Sequence, residues 1–144
     1  MKTFTLATIL GWKHPLLQVP AAIFGAGVTY LYGGWSTLLG FLLFFVVADY
    51  LTGVAAAGKR GELRSSVGFW GILLKILIFL IVAIGHKIDN ILGVQMFMSA
   101  AIFFYMANEL LSIFENVGVL GLKVPDFLAQ AVDILKGKSE IKND

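Results

Sequence analysis

Three ionisable residues interrupt long apolar stretches of this chain. Asp49, Lys75 and Glu109 each lie within a run of residues long enough to cross a lipid bilayer. A charge in hydrocarbon is costly, and it usually persists only when it is paired or serves a function. Lys75 could neutralise either carboxylate, and the sequence leaves open which one is its partner. It also leaves open whether such a pair has a function or only fixes the register of the helices.

The overall composition is that of a membrane protein. Hydrophobic residues make up 58% of the 144 positions and charged residues only 14%, which is too few to solvate a soluble domain of this size. Cysteine is absent, so disulfides, thiolate metal sites and cysteine nucleophiles are all excluded. The net charge of +2 is small, and the placement of the charges is more informative than their sum.

Four apolar segments approach the roughly 20 residues that a helix needs to cross the hydrocarbon core. They predict an all-α integral membrane protein with about four transmembrane helices, at residues 16–32, 35–57, 67–85 and 91–114. The first segment is the weakest, because Gln18, Pro20 and two glycines lower its hydrophobicity and helix propensity. A re-entrant or tilted interfacial segment is the alternative for it.

The basic residues predict the orientation of these spans. Lys87 alone falls on one side of the membrane, whereas nine basic residues fall on the other: Lys2, Lys13, Lys59, Arg60, Arg64, Lys123, Lys136, Lys138 and Lys142. The positive-inside rule therefore places both termini in the cytoplasm, with the turns at residues 32–35 and 86–90 outside. Residues 1–15 and 115–144 are then cytoplasmic segments.

The C-terminal segment contains a further amphipathic pattern. Between residues 124 and 135, apolar residues recur at helical spacing, and Pro125 suits the first turn of such a helix. The pattern predicts a short helix, either on the inner membrane surface or packed against neighbouring subunits. Residues 137–144 are polar.

At a rise of 1.5 Å per residue, the three ionisable residues are expected about 7–14 Å from the cytoplasmic ends of their spans, in the inner half of the membrane. Further polar and small residues accompany them. The fourth span carries a predicted polar face, formed by Asn108, Ser112, Glu115 and Asn116. The second and third spans carry small or polar residues suited to close helix packing: Thr52, Gly53, Ala56, Gly68 and Gly71.

The outer halves of the spans are uniformly apolar. Residues 38–47 and 76–84 contain no polar side chain, so no polar stripe crosses the full thickness of the membrane. A single copy could hardly enclose water. This pattern favours a protein that waits in the lipid and then assembles into a homo-oligomer.

Enzymatic chemistry finds little support in the chain. His14 and His86 are isolated, and the sequence contains no paired metal-ligand spacing and no glycine-rich phosphate loop. No basic and aromatic pattern suited to nucleic acid is present. We therefore expect no catalytic residue, metal or cofactor, and a non-enzymatic role.

Several segments together resemble the family of phage-lysis and toxin-secretion holins. The matching residues are Asp49-Tyr50-Leu51-Thr52-Gly53-Val54, Gly61-Glu62-Leu63, Ser65, Ser66, Gly68, Gly71, Lys75, Tyr105, Asn108-Glu109, Ser112-Ile113, Glu115-Asn116, Gly121 and Pro125. These matches cover residues 49–135 in the same order as in the family, and their combination is more specific than any single match.

The resemblance implies a small homo-oligomerising protein of the bacterial cytoplasmic membrane that opens lesions. Such lesions release an endolysin or a large toxin, without a need for direct contact with either. The alternative is a small oligomeric channel, transporter or accessory subunit, which would show a selective conductance rather than tolerance for large cargo.

The predicted orientation can be tested with single cysteines, because the chain has none of its own. Gly34→Cys and Lys138→Cys are expected to differ in labelling by a membrane-impermeant thiol reagent in intact cells. Position 34 should react and position 138 should not, because only the former faces outward. The reverse pattern would refute the orientation.

Overall fold

The computed structural model describes residues 15–62, 64–127 and 130, and within these ranges the chain forms four long helices and no strand. The helices are α1 (Pro15–Tyr32), α2 (Thr37–Arg60), α3 (Ser65–Leu92) and α4 (Phe97–Leu120). The prediction of an all-α protein is thereby confirmed.

Three of these helices are long and apolar enough to cross a membrane: Thr37–Arg60, Gly68–Leu92 and Phe97–Leu120. The first helix, α1, is not among them, and it contains Pro20 in its interior. This agrees with the weakness of that segment in the sequence. The total of four spans and their orientation stay predictions.

The end of α3 differs from the sequence-based boundary. The helix continues to Leu92 instead of ending near residue 85, so residues 86–90 are helical and the turn lies at residues 93–96. The polar run at 86–90 resembles a loop in sequence, yet its side chains find partners within the fold. Gly93 then ends the helix in the left-handed conformation, with φ of 67°.

The boundaries of α4 also lie further toward the C-terminus than those predicted from the sequence. It begins at Phe97 and ends at Leu120, so Glu115 and Asn116 lie inside the helix rather than beyond it. Gly121, with φ of 96°, supplies the stop. Of the amphipathic helix predicted at 124–135, only residues 124–127 and 130 are described. Asp126, Phe127 and Gln130 are helical, and the rest of that prediction lies outside the described residues.

The α4 helix is the centre of the packing. Among the described residues it lies against both α2 and α3, which touch each other only slightly, while α1 packs against α3 alone. The buried core sits toward the N-terminal half of α4 and is entirely aliphatic: Leu39, Leu42, Val46, Ile78, Val82 and Ile102.

The outward faces of the helices are strongly apolar. Large side chains such as Phe24, Phe44, Phe69 and Phe104, one on each helix, are exposed. Exposed apolar surface on this scale is unstable in water and suits a lipid environment. The fold is therefore that of a multi-pass membrane protein with a small interior.

Close packing of α3 on α4 depends on Gly85. A Cβ atom at this position would lie 3.0 Å from the backbone Cα and N atoms of Met98. Backbone atoms in a packed helix cannot easily yield, so only a hydrogen fits between the two helices. Small residues that let helix backbones approach are a common basis of helix association in membranes.

We therefore expect Gly85→Ala to destabilise the protein. Overpacking of this kind costs about 1–3 kcal/mol, which outweighs the gain of up to about 1 kcal/mol in helix propensity. Thermal unfolding of the purified protein in detergent, followed by circular dichroism, should show a lower Tm. Gly27→Ala is the matched control, because nothing lies within 4 Å of a Cβ atom there. Equal Tm values for the two variants would contradict the packing argument.

Candidate functional site

Lys75 joins three helices through its side-chain ammonium group. It extends from α3 and donates to Asp49 Oδ2 of α2 at 2.5 Å and to Glu109 Oε2 of α4. All three side chains are largely buried, and that of Glu109 is only 7% exposed. The sequence left open which carboxylate is the partner, and in the structure Lys75 contacts both.

Asp49 has a second set of contacts through its other carboxylate oxygen. Asn116 of α4 donates from Nδ2 to Asp49 Oδ1 at 3.0 Å and to Thr52 Oγ1 at 3.3 Å. The Thr52 hydroxyl in turn donates to the backbone carbonyls of Ala48 and Asp49, at 2.9 and 3.0 Å. Asp49 is thus bound by both α3 and α4, while its own helix fixes Thr52 beside it.

The charges of this cluster do not balance formally, because two carboxylates face one ammonium group. Taking charges out of water is expensive, and their mutual attraction offsets the cost only when the remaining polar atoms also find partners. Among the described residues, no buried side-chain nitrogen or oxygen lacks a hydrogen-bond partner. The cluster is therefore a closed polar network between three largely apolar helices.

The residues predicted to form one polar face on the fourth span lie in different environments. Asn116 points into the cluster, Ser112 and Glu115 are half-buried, and Asn108 is exposed. Asn116 belongs to the network around Asp49, whereas Asn108 lies on the exposed side of the helix.

The small residues predicted for helix packing lie close to side chains of neighbouring helices. Ala56 is fully buried, and a Cβ atom on Gly53 would lie 3.5 Å from Asn116 Nδ2. On α3, positions 68 and 71 face Tyr50 of α2, where Cβ atoms would lie 3.7 Å from the hydroxyl oxygen and 3.9 Å from the ring. That these glycines accommodate Tyr50 could not be predicted from the sequence.

The sequence did not reveal a third buried carboxylate, at the opposite end of the bundle. Asp89, near the end of α3, is only 5% exposed and accepts hydrogen bonds from the backbone N–H groups of Met96, Phe97 and Met98 at 2.8–3.0 Å. It thus caps the start of α4, where a negative charge also interacts favourably with the helix dipole. The sequence signal for this cap is an acidic residue shortly before the apolar run that forms α4.

A pocket of about 480 Å³ lies beside this cap, at the other end of the helices from the ion pairs. Its polar lining includes Tyr32, Ser36, His86 and Asn90. His86 Nε2 lies 3.0 Å from Asn90 Nδ2, so His86 already has a neighbour within the chain. Within the described residues, no group of three His, Cys, Asp or Glu side chains could hold a metal ion.

Comparison with known proteins identifies the family. The model of the bacteriophage holin family matches residues 26–137, which include α2, α3, α4 and all three members of the ion-pair cluster. The chain belongs to the bacteriophage holin family. The resemblance predicted from the sequence is confirmed, and holin-family membership points to a non-enzymatic membrane protein.

Individual relatives of this holin-family chain come from both bacteria and phage. An uncharacterized protein of Halalkalibacterium halodurans is 50% identical, over 85% of this chain and 95% of its own length. An uncharacterized protein of Listeria monocytogenes is 47% identical, over 84% and 89%. A Bacillus phage phi105 protein named "Probable holin" is 36% identical, over 74% and 79%. No solved structure matches the chain significantly.

The cluster geometry predicts that Lys75→Met destabilises the protein and lowers its level in the membrane. Removing one partner of a buried ion pair costs about 3–5 kcal/mol, whereas removing both sides of the pair costs much less. Lys123→Met is the matched control, because that lysine is exposed. Membrane levels by immunoblot and Tm in detergent measure the effect, and unchanged values for Lys75→Met would refute it.

The same cluster predicts an order of rescue in double variants. Adding Glu109→Gln to Lys75→Met should restore more stability than adding Asp49→Asn. Glu109 is the more buried carboxylate, and Asp49 keeps its hydrogen bond from Asn116 when Lys75 is lost. The reverse order would show that Asp49 is the principal partner.

Proposed function

We propose that this chain is a holin of the bacterial cytoplasmic membrane. In this proposal it crosses the membrane four times with both termini in the cytoplasm, accumulates there, homo-oligomerises and opens lesions. The lesions release an endolysin or a large toxin. The family match over residues 26–137 carries the proposal, and the phage relative named as a holin supports it.

The interior of one copy favours a hole built from several copies. Toward the N-terminal half of α4, the space between the helices is filled by aliphatic side chains, including the fully buried Leu42 and Val82. Toward the C-terminal half, the Lys75 cluster closes the interior with hydrogen bonds. Because neither region offers water a path through the single chain, a lesion requires rearrangement between copies.

The ion-pair cluster has a structural role in this mechanism. It holds α2, α3 and α4 in one unit, together with the packing residues Thr52, Gly53, Ala56, Gly68 and Gly71. Such a unit can accumulate intact before it assembles. Its partners are membrane lipid and further copies of the chain, with no nucleic acid and no cofactor. Cooperation with the endolysin or toxin proceeds through the lesion and needs no direct contact.

Inducible expression in a bacterium that also holds a cytoplasmic endolysin tests this function. After induction, we expect an abrupt fall in optical density, collapse of the membrane potential and release of a cytoplasmic reporter enzyme. The same chain expressed without endolysin should kill the cells with little loss of optical density. Sustained growth at a high membrane level of the protein would contradict the proposal.

The size of the released cargo separates this function from that of a small channel or transporter. A lesion that passes a folded enzyme must be far wider than a selective pore. Collapse of the membrane potential without release of the reporter enzyme would therefore favour the channel and count against the holin.

A further inference from the structure

Asn108 is placed unusually for a polar residue of a membrane helix. It lies at the middle of α4 (Phe97–Leu120), with its side chain exposed, and it makes no hydrogen bond with the residues that the structure describes. Asn116, two turns further along the same helix, donates to Asp49 inside the fold. The two asparagines therefore differ, since within the described part of the chain only the side chain of Asn116 has a hydrogen-bond partner.

The position of Asn108 makes this exposure costly once α4 crosses a bilayer. The residue is about 17 Å along the helix axis from either end, at a rise of 1.5 Å per residue. Asparagine is too short to reach the interface as a lysine side chain does. An amide with no hydrogen-bond partner in hydrocarbon costs several kcal/mol, so a partner in the membrane is strongly favoured.

The chemistry of the amide selects the partner. Each carboxamide carries both a donor and an acceptor, so two identical amides that meet across a two-fold axis satisfy each other. Lipid chains offer neither group. A second copy of the chain inserted in the same direction presents Asn108 at the same depth, and hydrogen bonds between such side chains stabilise helix pairs in membranes.

The surroundings of Asn108 permit a close approach. The face of α4 that packs on α2 and α3 contains Ile102 and Glu109, both buried, whereas Asn108 lies on a face that residues 15–62, 64–127 and 130 leave uncovered. Ala107 and Phe104 are exposed beside it. The small Ala107 side chain lets another helix come near, and Phe104 adds apolar contact area one turn away.

We propose that α4 carries a self-association face centred on Asn108, through which two copies of the chain pair by amide–amide hydrogen bonds within the membrane. The inference rests on the membrane insertion contained in the proposed function, and it specifies which surface the copies use first. It assigns Asn108 a role distinct from that of Asn116 and the ion-pair cluster.

Cysteine cross-linking tests the face directly, because the chain contains no cysteine. Ala107→Cys is compared with Val47→Cys, an exposed position near the middle of α2 that serves as the depth-matched control. Both variants are expressed at low level in a host without endolysin, and the isolated membranes are oxidised. We expect disulfide-linked dimers predominantly from position 107. Equal cross-linking at the two positions would overturn the proposal.

Substitution of Asn108 in the Ala107→Cys background tests the amide itself. Asn108→Leu should weaken the dimer about threefold to tenfold, as loss of one such hydrogen-bonded pair predicts. Asn108→Gln, which keeps the carboxamide, should retain most of the cross-linking. If Asn108→Leu cross-links as well as the parent at an equal membrane level, the amide does not drive pairing. If Asn108→Leu fails to accumulate, the comparison of cross-linking at positions 107 and 47 still decides whether copies pair through this face of α4.

The cross-linking result is independent of lysis. Strong cross-linking at position 107 that depends on Asn108, without endolysin release, would support the self-association face and contradict the holin function. Endolysin release with no excess cross-linking at position 107 would leave the holin function standing and overturn the face.

Discussion

The three-helix unit depends on the ion pairs of Lys75, because lipid removes most of the force that holds a soluble bundle together. Lipid chains are as apolar as the aliphatic core, so burial of Leu42 or Val82 gains little beyond tight packing. Polar groups gain much more from meeting one another. Lys75 on α3 meets Asp49 of α2 and Glu109 of α4, and so connects two helices, α2 and α3, that otherwise barely touch.

A second polar contact holds α4 at its N-terminal end. The carboxylate of Asp89 binds the first backbone N–H groups of α4, while Glu109 and Asn116 anchor its C-terminal half. Beside the first of these anchors, Gly85 brings the backbone of α3 close to the start of α4. The position of α4 is thus set by hydrogen bonds at its N-terminal end and in its C-terminal half, and by packing against both α2 and α3.

The sequence predicts the helices and shows that three of them carry an isolated charge, because hydrophobic runs and isolated charges are local features. It does not predict where α3 ends, since four of residues 86–90 are polar, and their helical structure is accompanied by contacts with distant parts of the chain, such as that of Lys87 with the Tyr30 carbonyl. It does not distinguish Asn108 from Asn116 either. Both fit the same helical stripe, and only the packing of α4 against α2 determines which one faces inward.

The α1 helix is attached to the rest of the described structure through α3. Among the described residues, α1 packs on α3 alone, with the Tyr32 hydroxyl donating to the Phe79 carbonyl at 3.2 Å and Lys87 Nζ donating to the Tyr30 carbonyl at 2.5 Å. Lys87 also lies 3.7 Å from the centre of the Tyr30 ring. None of these contacts involves α2, α4 or the Lys75 cluster. The first helix is therefore a peripheral element, attached through α3 to the unit that the other three helices form.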